Sequence, residues 1–233
     1  MNGYERTCKF VMGEPVDHPP FMPLVIEWVS RQCGLEYPDF VYHPDVRAKA
    51  YLETVEKFDM DHVLPDADFS EQLEDFGQVP KWTDAGFQVE PIINSEEDLD
   101  KLVLPDMKPG TRQGNRLEIL RQVAAKEKGN RYIFCIGPFT EYCNARGIKK
   151  AMHDMKKRPE MMKKGIDLFF RNGMRFIEAQ LEAGADGIQI VEPNCSLISP
   201  KFYEANIMPL HKQMVDLIQS KKNGFARLNV CGD

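Results

Sequence analysis

The segment 161–191 constrains this chain more than any other. Ile166, Phe169, Phe170, Gly173, Ile177, Gln180 and Leu181 recur at helical spacing and predict a helix over 161–183 with one buried stripe. Gly184 ends it, because glycine takes up the left-handed turn without a steric cost. The apolar run GIQIV, Gly187–Val191, follows at once and has the length of a buried strand. A helix that returns through a tight turn directly into an apolar strand is the repeating unit of a parallel sheet.

The same alternation recurs elsewhere. Residues 21–28 (FMPLVIEW) read as a strand and Pro44–Phe58 as a helix, with Pro44 in its first turn and Ala48, Tyr51, Leu52, Val55 and Phe58 on one face. Residues 61–65 read as a second strand, 87–93 as extended, and 96–104 and 115–128 as helices. Residues 132–136 (YIFCI) form a buried strand that ends at Gly137-Pro138-Phe139-Thr140. Ser199-Pro200 opens a helix to about residue 221, and 226–231 (ARLNVC) is the last strand. That makes five strands and a sixth in 87–93, against the eight of a closed barrel. Periodicity alone slightly favours an open doubly wound sheet. No GxGxxG turn follows the first strand, which speaks against a dinucleotide-binding version of it.

Composition sets the function classes aside one by one. With 36 acidic against 30 basic residues the formal charge is −6, and no nucleic acid is expected as partner. No apolar run approaches the ~20 residues of a membrane helix, so no membrane is expected either. The start, Met1-Asn2-Gly3-Tyr4-Glu5-Arg6, lacks the apolar core of a signal peptide. The six cysteines form no CxxC pair and read as reduced thiols of a cytoplasmic protein.

Several local patterns, taken in order, resemble the uroporphyrinogen decarboxylase superfamily. Gly13-Glu14-Pro15-Val16-Asp17-His18-Pro19-Pro20-Phe21 is similar to its lead into the first strand, and Arg31-Gln32-Cys33-Gly34 to the decarboxylase's RQAG segment. Asp68 stands nine residues before Gly77, as the decarboxylase's active-site aspartate stands before a glycine. Ile136-Gly137-Pro138-Phe139-Thr140 resembles its GAPWT turn, Ala183-Gly184-Ala185-Asp186 with Ile188-Gln189-Ile190 its AGA-hydrophobic strand, and Ser199-Pro200 with Met208-Pro209 fits the helix beyond. The resemblance implies an α/β fold, a (β/α)8 TIM barrel incomplete in this chain, with five to six strands present. It implies one barrel domain over 1–233, with three further strand–helix units beyond it.

Two chemistries come with the superfamily. In the decarboxylase an aspartate binds pyrrole N–H groups and arginines hold the carboxylates of a tetrapyrrole. Asp68, Arg31 and Gln32 fit that pattern, but Leu35 stands where the second arginine falls, Asn144 in place of a tyrosine and Pro193 in place of a serine. The sister methyltransferases end a strand with His-x-Cys-Gly, which aims two ligands at one zinc from one strand face. Here that segment reads Asn229-Val230-Cys231-Gly232: Cys231 is in register as metal ligand, and Asn229, which replaces the histidine, reads equally as a degenerate ligand or as a substrate-binding amide. The expected activity is therefore methyl transfer between a small methylated compound or thiol and a corrinoid protein, with zinc as cofactor and the corrinoid on the partner. Tetrapyrrole decarboxylation, or a non-catalytic barrel subunit that docks a corrinoid protein, are the alternatives. A homodimer is allowed for.

Two carboxylates are singled out as catalytic. Asp68 sits in the loop after a strand, where barrel enzymes collect function, and its neighbour Asp66 reads as a solvated turn residue. Glu192 follows Gly187–Val191 directly, at the expected mouth, as general acid/base or ligand. Cys195 and the five histidines read as structural, and Glu27, at a strand end, as undecided. Asp68, Glu192 and Cys231 are expected to face one cavity.

Overall fold

The computed structural model describes residues 1–65, 68–83, 86–126, 130–221 and 225–231. Helices α1 (Gly3–Val11), α2 (Ile26–Gln32), α3 (Tyr37–Tyr42) and α4 (Pro44–Phe58) lead to strand β1 (His62–Val63). A short helix α5 (Glu71–Glu74), a hairpin of β2 (Lys81–Thr83) and β3 (Gly86–Gln88), and helices α6 (Glu96–Lys101) and α7 (Arg112–Lys126) precede β4 (Asn130–Ile136). Three helices follow: α8 (Pro138–Arg146), α9 (Ile148–Lys157) and the long α10 (Pro159–Glu182). Strand β5 (Gly187–Val191), a 3-10 turn (Pro193–Leu197), helices α11 (Pro200–Asn206) and α12 (Met208–Ser220), and strand β6 (Phe225–Asn229) complete the order.

Strands β1, β4, β5 and β6 lie side by side in that order, every pair parallel, as βα repeats demand. Alternate residues face opposite sides. Ile133, Cys135, Ile188 and Ile190 point outward and pack on Leu120 of α7, Phe176 and Ile177 of α10, and Met214 and Ile218 of α12. Leu64, Tyr132, Phe134, Ile136 and Val191 point the other way into a second apolar cluster, closed by Met22, Ile26 and Phe225. A doubly wound sheet would carry helices on both faces. Here the crossover helices cover one face and the other lines an interior, the layering of a (β/α)8 barrel, of which four sheet strands lie among the described residues.

Several elements fall where the residue pattern puts them, including Pro44–Phe58 and Gly187–Val191. Gly184 is required twice over: its φ is +112°, and a Cβ there would stand 2.7 Å from that of Ala124. Residues 21–28 are the main correction. They hold no strand; Ile26–Gln32 is helical, and Glu27 pairs with Arg31 one turn on, 3.7 Å away. Pro19, Pro20 and Pro23 remove the N–H groups a ladder would use. What remains of the pairing is Phe21, whose N–H donates to the Asp61 carboxylate at 2.7 Å and whose carbonyl accepts from Asp61 N at 3.0 Å. Of the extended stretch expected at 87–93, Phe87 and Gln88 lie in β3 and residues 89–93 hold no strand, and the helix expected from Ser199-Pro200 onward breaks at Ile207 into α11 and α12. Asp66 and Gly232 lie outside the described residues.

Where β1 stops, a side chain continues the sheet. Ile136 N donates to Gln72 Oε1 at 2.7 Å, and Gln72 Nε2 donates back to Ile136 O at 3.4 Å. The segment around α5 is pinned there by buried arginines: Arg112 binds Asp68 and Glu74, and Arg47 and Arg116 bind Glu71. Removing one member of such a buried set strands its partner and costs about 3–5 kcal/mol.

Candidate functional site: a cavity inside the partial barrel

The inward residues of β4, β5 and β6 stack in layers set by strand register. Tyr132, Gly187 and Phe225 form the lowest, Phe134, Gln189 and Arg227 the next, and Ile136, Val191 and Asn229 the one at the mouth. They wall a cavity of about 620 Å³, a volume suited to a small molecule. His62 lines its floor, Thr140 and Asn144 from α8 and Pro193 and Asn194 from the 3-10 turn line its rim, and Met22 to Leu24 close the open side. Phe69 lies parallel to Phe134, ring centroids 6.0 Å apart. Cys231 continues the inward face of β6, and its thiol donates to Asn229 Oδ1 at 3.4 Å. Burial holds His62 neutral, depressing its pKa to about 4 against the opposing pull of Phe21 and Asp61.

Of the residues singled out from the sequence, Asn229 and Cys231 line this cavity; the other four do not. The expectation of one cavity shared by Asp68, Glu192 and Cys231 is therefore corrected, and each departure has a physical reason. Asp68 is buried against Arg112, and it accepts from Ser70 N at 2.8 Å. Burial alone would raise its pKa, but Arg112 and Ser70 outweigh that and hold it below the usual carboxylate value. Glu192 is wholly buried and folds back beneath α8. It accepts from Phe139 N at 3.3 Å and Thr140 N at 2.6 Å, the free donors of that helix N-terminus, and pairs with His211 Nε2 at 2.8 Å. Gly137 permits the approach, since a Cβ there would meet Glu192 Cδ at 2.4 Å. Arg31 is exposed and borders a separate polar pocket with Glu27, Tyr37 and Trp82, while Gln32 faces solvent.

Other buried groups share the region below the mouth. Glu141 is fully buried, and neither carboxylate oxygen has a hydrogen-bond partner among the described residues. Burial drives its pKa well up, and the charge of Glu192 adds to the effect. Burial likewise pushes the Cys143 and Cys195 thiols up. Among the described residues no three of His, Cys, Asp or Glu gather in a way that could hold a metal ion.

Sequence reasoning missed Arg227, Gln189, Tyr132 and His62 as cavity residues. The signal was present: Gln189 and Arg227 are polar residues in apolar runs, each two positions before the residue that reaches the mouth. None of the helices among the described residues is long and apolar enough to cross a membrane.

The comparisons with known proteins accord with this architecture. A methyltransferase from Methanosarcina mazei superposes with a TM-score of 0.83 over 100% of this chain and 70% of its own, at 20% identity. Uroporphyrinogen decarboxylase of Chlorobium chlorochromatii (strain CaD3) is 27% identical over 217 residues, covering 83% of this chain and 61% of that protein. The enzyme of the same name from Myxococcus xanthus (strain DK1622) is 25% identical over 236 residues, 93% of this chain and 66% of that one. The chain thus spans 61–66% of the length of these two decarboxylases and 70% of that of the methyltransferase. The family model described as uroporphyrinogen decarboxylase (URO-D) matches residues 2–233, so the chain belongs to the uroporphyrinogen decarboxylase family.

Proposed function

We propose that this chain contributes the substrate cavity of a methyltransferase that moves a methyl group between a small methylated compound, or a thiol, and a corrinoid protein. The observation that carries the reading is the Asn229–Cys231 pair: a thiol and an amide on one strand face, at the mouth of a mainly apolar cavity. Asn229 Oδ1 is taken up by the thiol, which leaves the two amide N–H donors for the heteroatom that bears the methyl group. The Cys231 thiol stands beside it as the proton source for that heteroatom as it departs. The apolar walls exclude water and hold the small molecule in line with the mouth. A docked corrinoid protein supplies or accepts the methyl group there. Among the described residues Cys231 is the one thiol at the cavity, so the zinc implied by the resemblance would need further ligands beside it.

Decarboxylation is the second reading, favoured by the name that the relatives at 25–27% identity carry. Against it, Arg31 stands at the surface and a single guanidinium, that of Arg227, reaches the cavity among the described residues. Methyl transfer to a reduced corrinoid, followed by its absorbance, separates the two readings. Cys231→Ala is expected to lower the rate about 100-fold or more. Wild-type rates in that variant, or carbon dioxide release from uroporphyrinogen, would overturn the proposal.

A further inference from the structure

The cavity is lined by one charged side chain that pairs with no described residue. Arg227, an exposed residue in the middle of β6, lines it, and its guanidinium makes no hydrogen bond or ion pair with a described residue. The described residues that line the cavity include no aspartate or glutamate, in a chain whose net charge is −6. Beside it, Tyr132 is 3% exposed and its hydroxyl has no hydrogen-bond partner among the described residues. A buried hydroxyl without a partner costs about 1–3 kcal/mol, so a ligand that accepts from it recovers that loss.

The backbone has been cut away to make this arrangement. Tyr132 and Gly187 sit opposite each other in register, and a Cβ on Gly187 would stand 2.5 Å from the Tyr132 ring. The ring therefore lies across β5 and packs on Phe225 of β6, centroids 5.8 Å apart. That crossing brings the phenol within the electrostatic reach of Arg227, two residues along β6 from Phe225. Gln189 is on the strand between them and one layer up from Gly187, and its side-chain amide makes no hydrogen bond with a described residue.

We infer that the cavity is built for a small carboxylate: Arg227 and Tyr132 hold its anionic end, Gln189 lies between them, and its apolar body runs along Phe134 and Phe69 toward Asn229 and Cys231. The guanidinium fork matches a carboxylate in two parallel bonds. One guanidinium balances one unit of charge, and no other described residue of the lining offers a cation to the second charge of a phosphate dianion. Arg227 and Asn229 are two strand positions apart, a rise of about 7 Å. A ring or short chain of that length places a ligand's far end at the Asn229–Cys231 pair. This rests on the methyltransferase reading only for what happens at that far end.

Binding by calorimetry to the full chain tests it without any turnover, with benzoate, hexanoate, benzamide and phenyl phosphate as probes. Benzoate is expected to bind about tenfold or more tightly than benzamide and than phenyl phosphate. Arg227→Met should erase the preference for benzoate over benzamide, Arg227→Lys should keep part of it, and Tyr132→Phe should weaken benzoate about fivefold or more. Equal binding of benzoate and benzamide overturns the inference. So does an undiminished preference in Arg227→Met, or no binding of either carboxylate at millimolar concentration by a chain that melts cooperatively. Tighter binding of phenyl phosphate makes the site one for phosphate and overturns it too. Carboxylate binding without methyl transfer sinks the proposed function and leaves this site standing.

Discussion

The Cys231 thiol donates to Asn229 Oδ1 across 3.4 Å, and both side chains belong to the inward face of β6. Cys231 is the exposed cysteine; Cys135, Cys143 and Cys195 are buried. Thiolate, not thiol, is the reactive form, and burial suppresses it at Cys143 and Cys195. Alkylation of the native protein followed by mass mapping should therefore modify Cys231 ahead of those three. Modification of Cys195 first would contradict the placement of both loops.

Glu192 binds the first turn of α8 and His211 in one buried knot. Glu192→Ala leaves those donors without an acceptor and is expected to cost about 3–5 kcal/mol in denaturant unfolding. Glu192→Gln keeps one acceptor and should cost less. Full stability with lost turnover would instead move Glu192 into the chemistry.

Glu141 keeps its proton when folded at a pH where the unfolded chain has released it. Above the ordinary glutamate pKa the unfolded state therefore binds fewer protons, and Glu141 destabilises the fold increasingly as pH rises. Glu141→Met removes two unpartnered oxygens and should raise stability by on the order of 1 kcal/mol, roughly 2–4 °C in Tm. The gain should be larger at pH 8 than at pH 5. Thermal melts at both values check the sign.

His62 works in the opposite direction on the pH axis. Unfolded, it takes a proton near the ordinary 6.5; folded, only near 4. Between those values the unfolded state binds more protons, so stability falls as pH drops through that window, by about 3 kcal/mol from this residue alone. His62→Phe should flatten the slope between pH 6.5 and 4, as read from denaturant midpoints across that range. An unchanged slope would mean that His62 is solvated.

Where a segment's fate is decided by its own periodicity, the residues revealed it. The stripe of α10, the turn at Gly184 and the apolar β5 could be read directly, and the packing of Phe176 and Ile177 on Ile188 and Ile190 follows from them. Residues 21–28 were misread because apolar composition alone does not distinguish a strand from a buried helix turn, and the three prolines that decide the matter act through absent donors.

The site was legible at β6 and illegible at the two carboxylates. Asn229 and Cys231 follow from the two-residue period of a strand. Asp68 and Glu192 do sit just after strands, as barrel catalytic groups do. Their orientation, however, is settled by Arg112 from one side and by the free N–H groups of α8 from the other. Neither partner is a sequence neighbour, so no local pattern announces them. Tyr132 and Arg227 depend on the missing side chain at Gly187, a relation between three strands.

Gln72 stands in for main chain beside Ile136. Deuterium uptake at that single amide therefore records the opening of the α5 segment, whereas uptake at Cys135, its neighbour in the β4–β5 ladder, records the opening of the sheet. Comparing the two sites in one spectrum reads the looseness of the cavity's lip separately from the firmness of its wall.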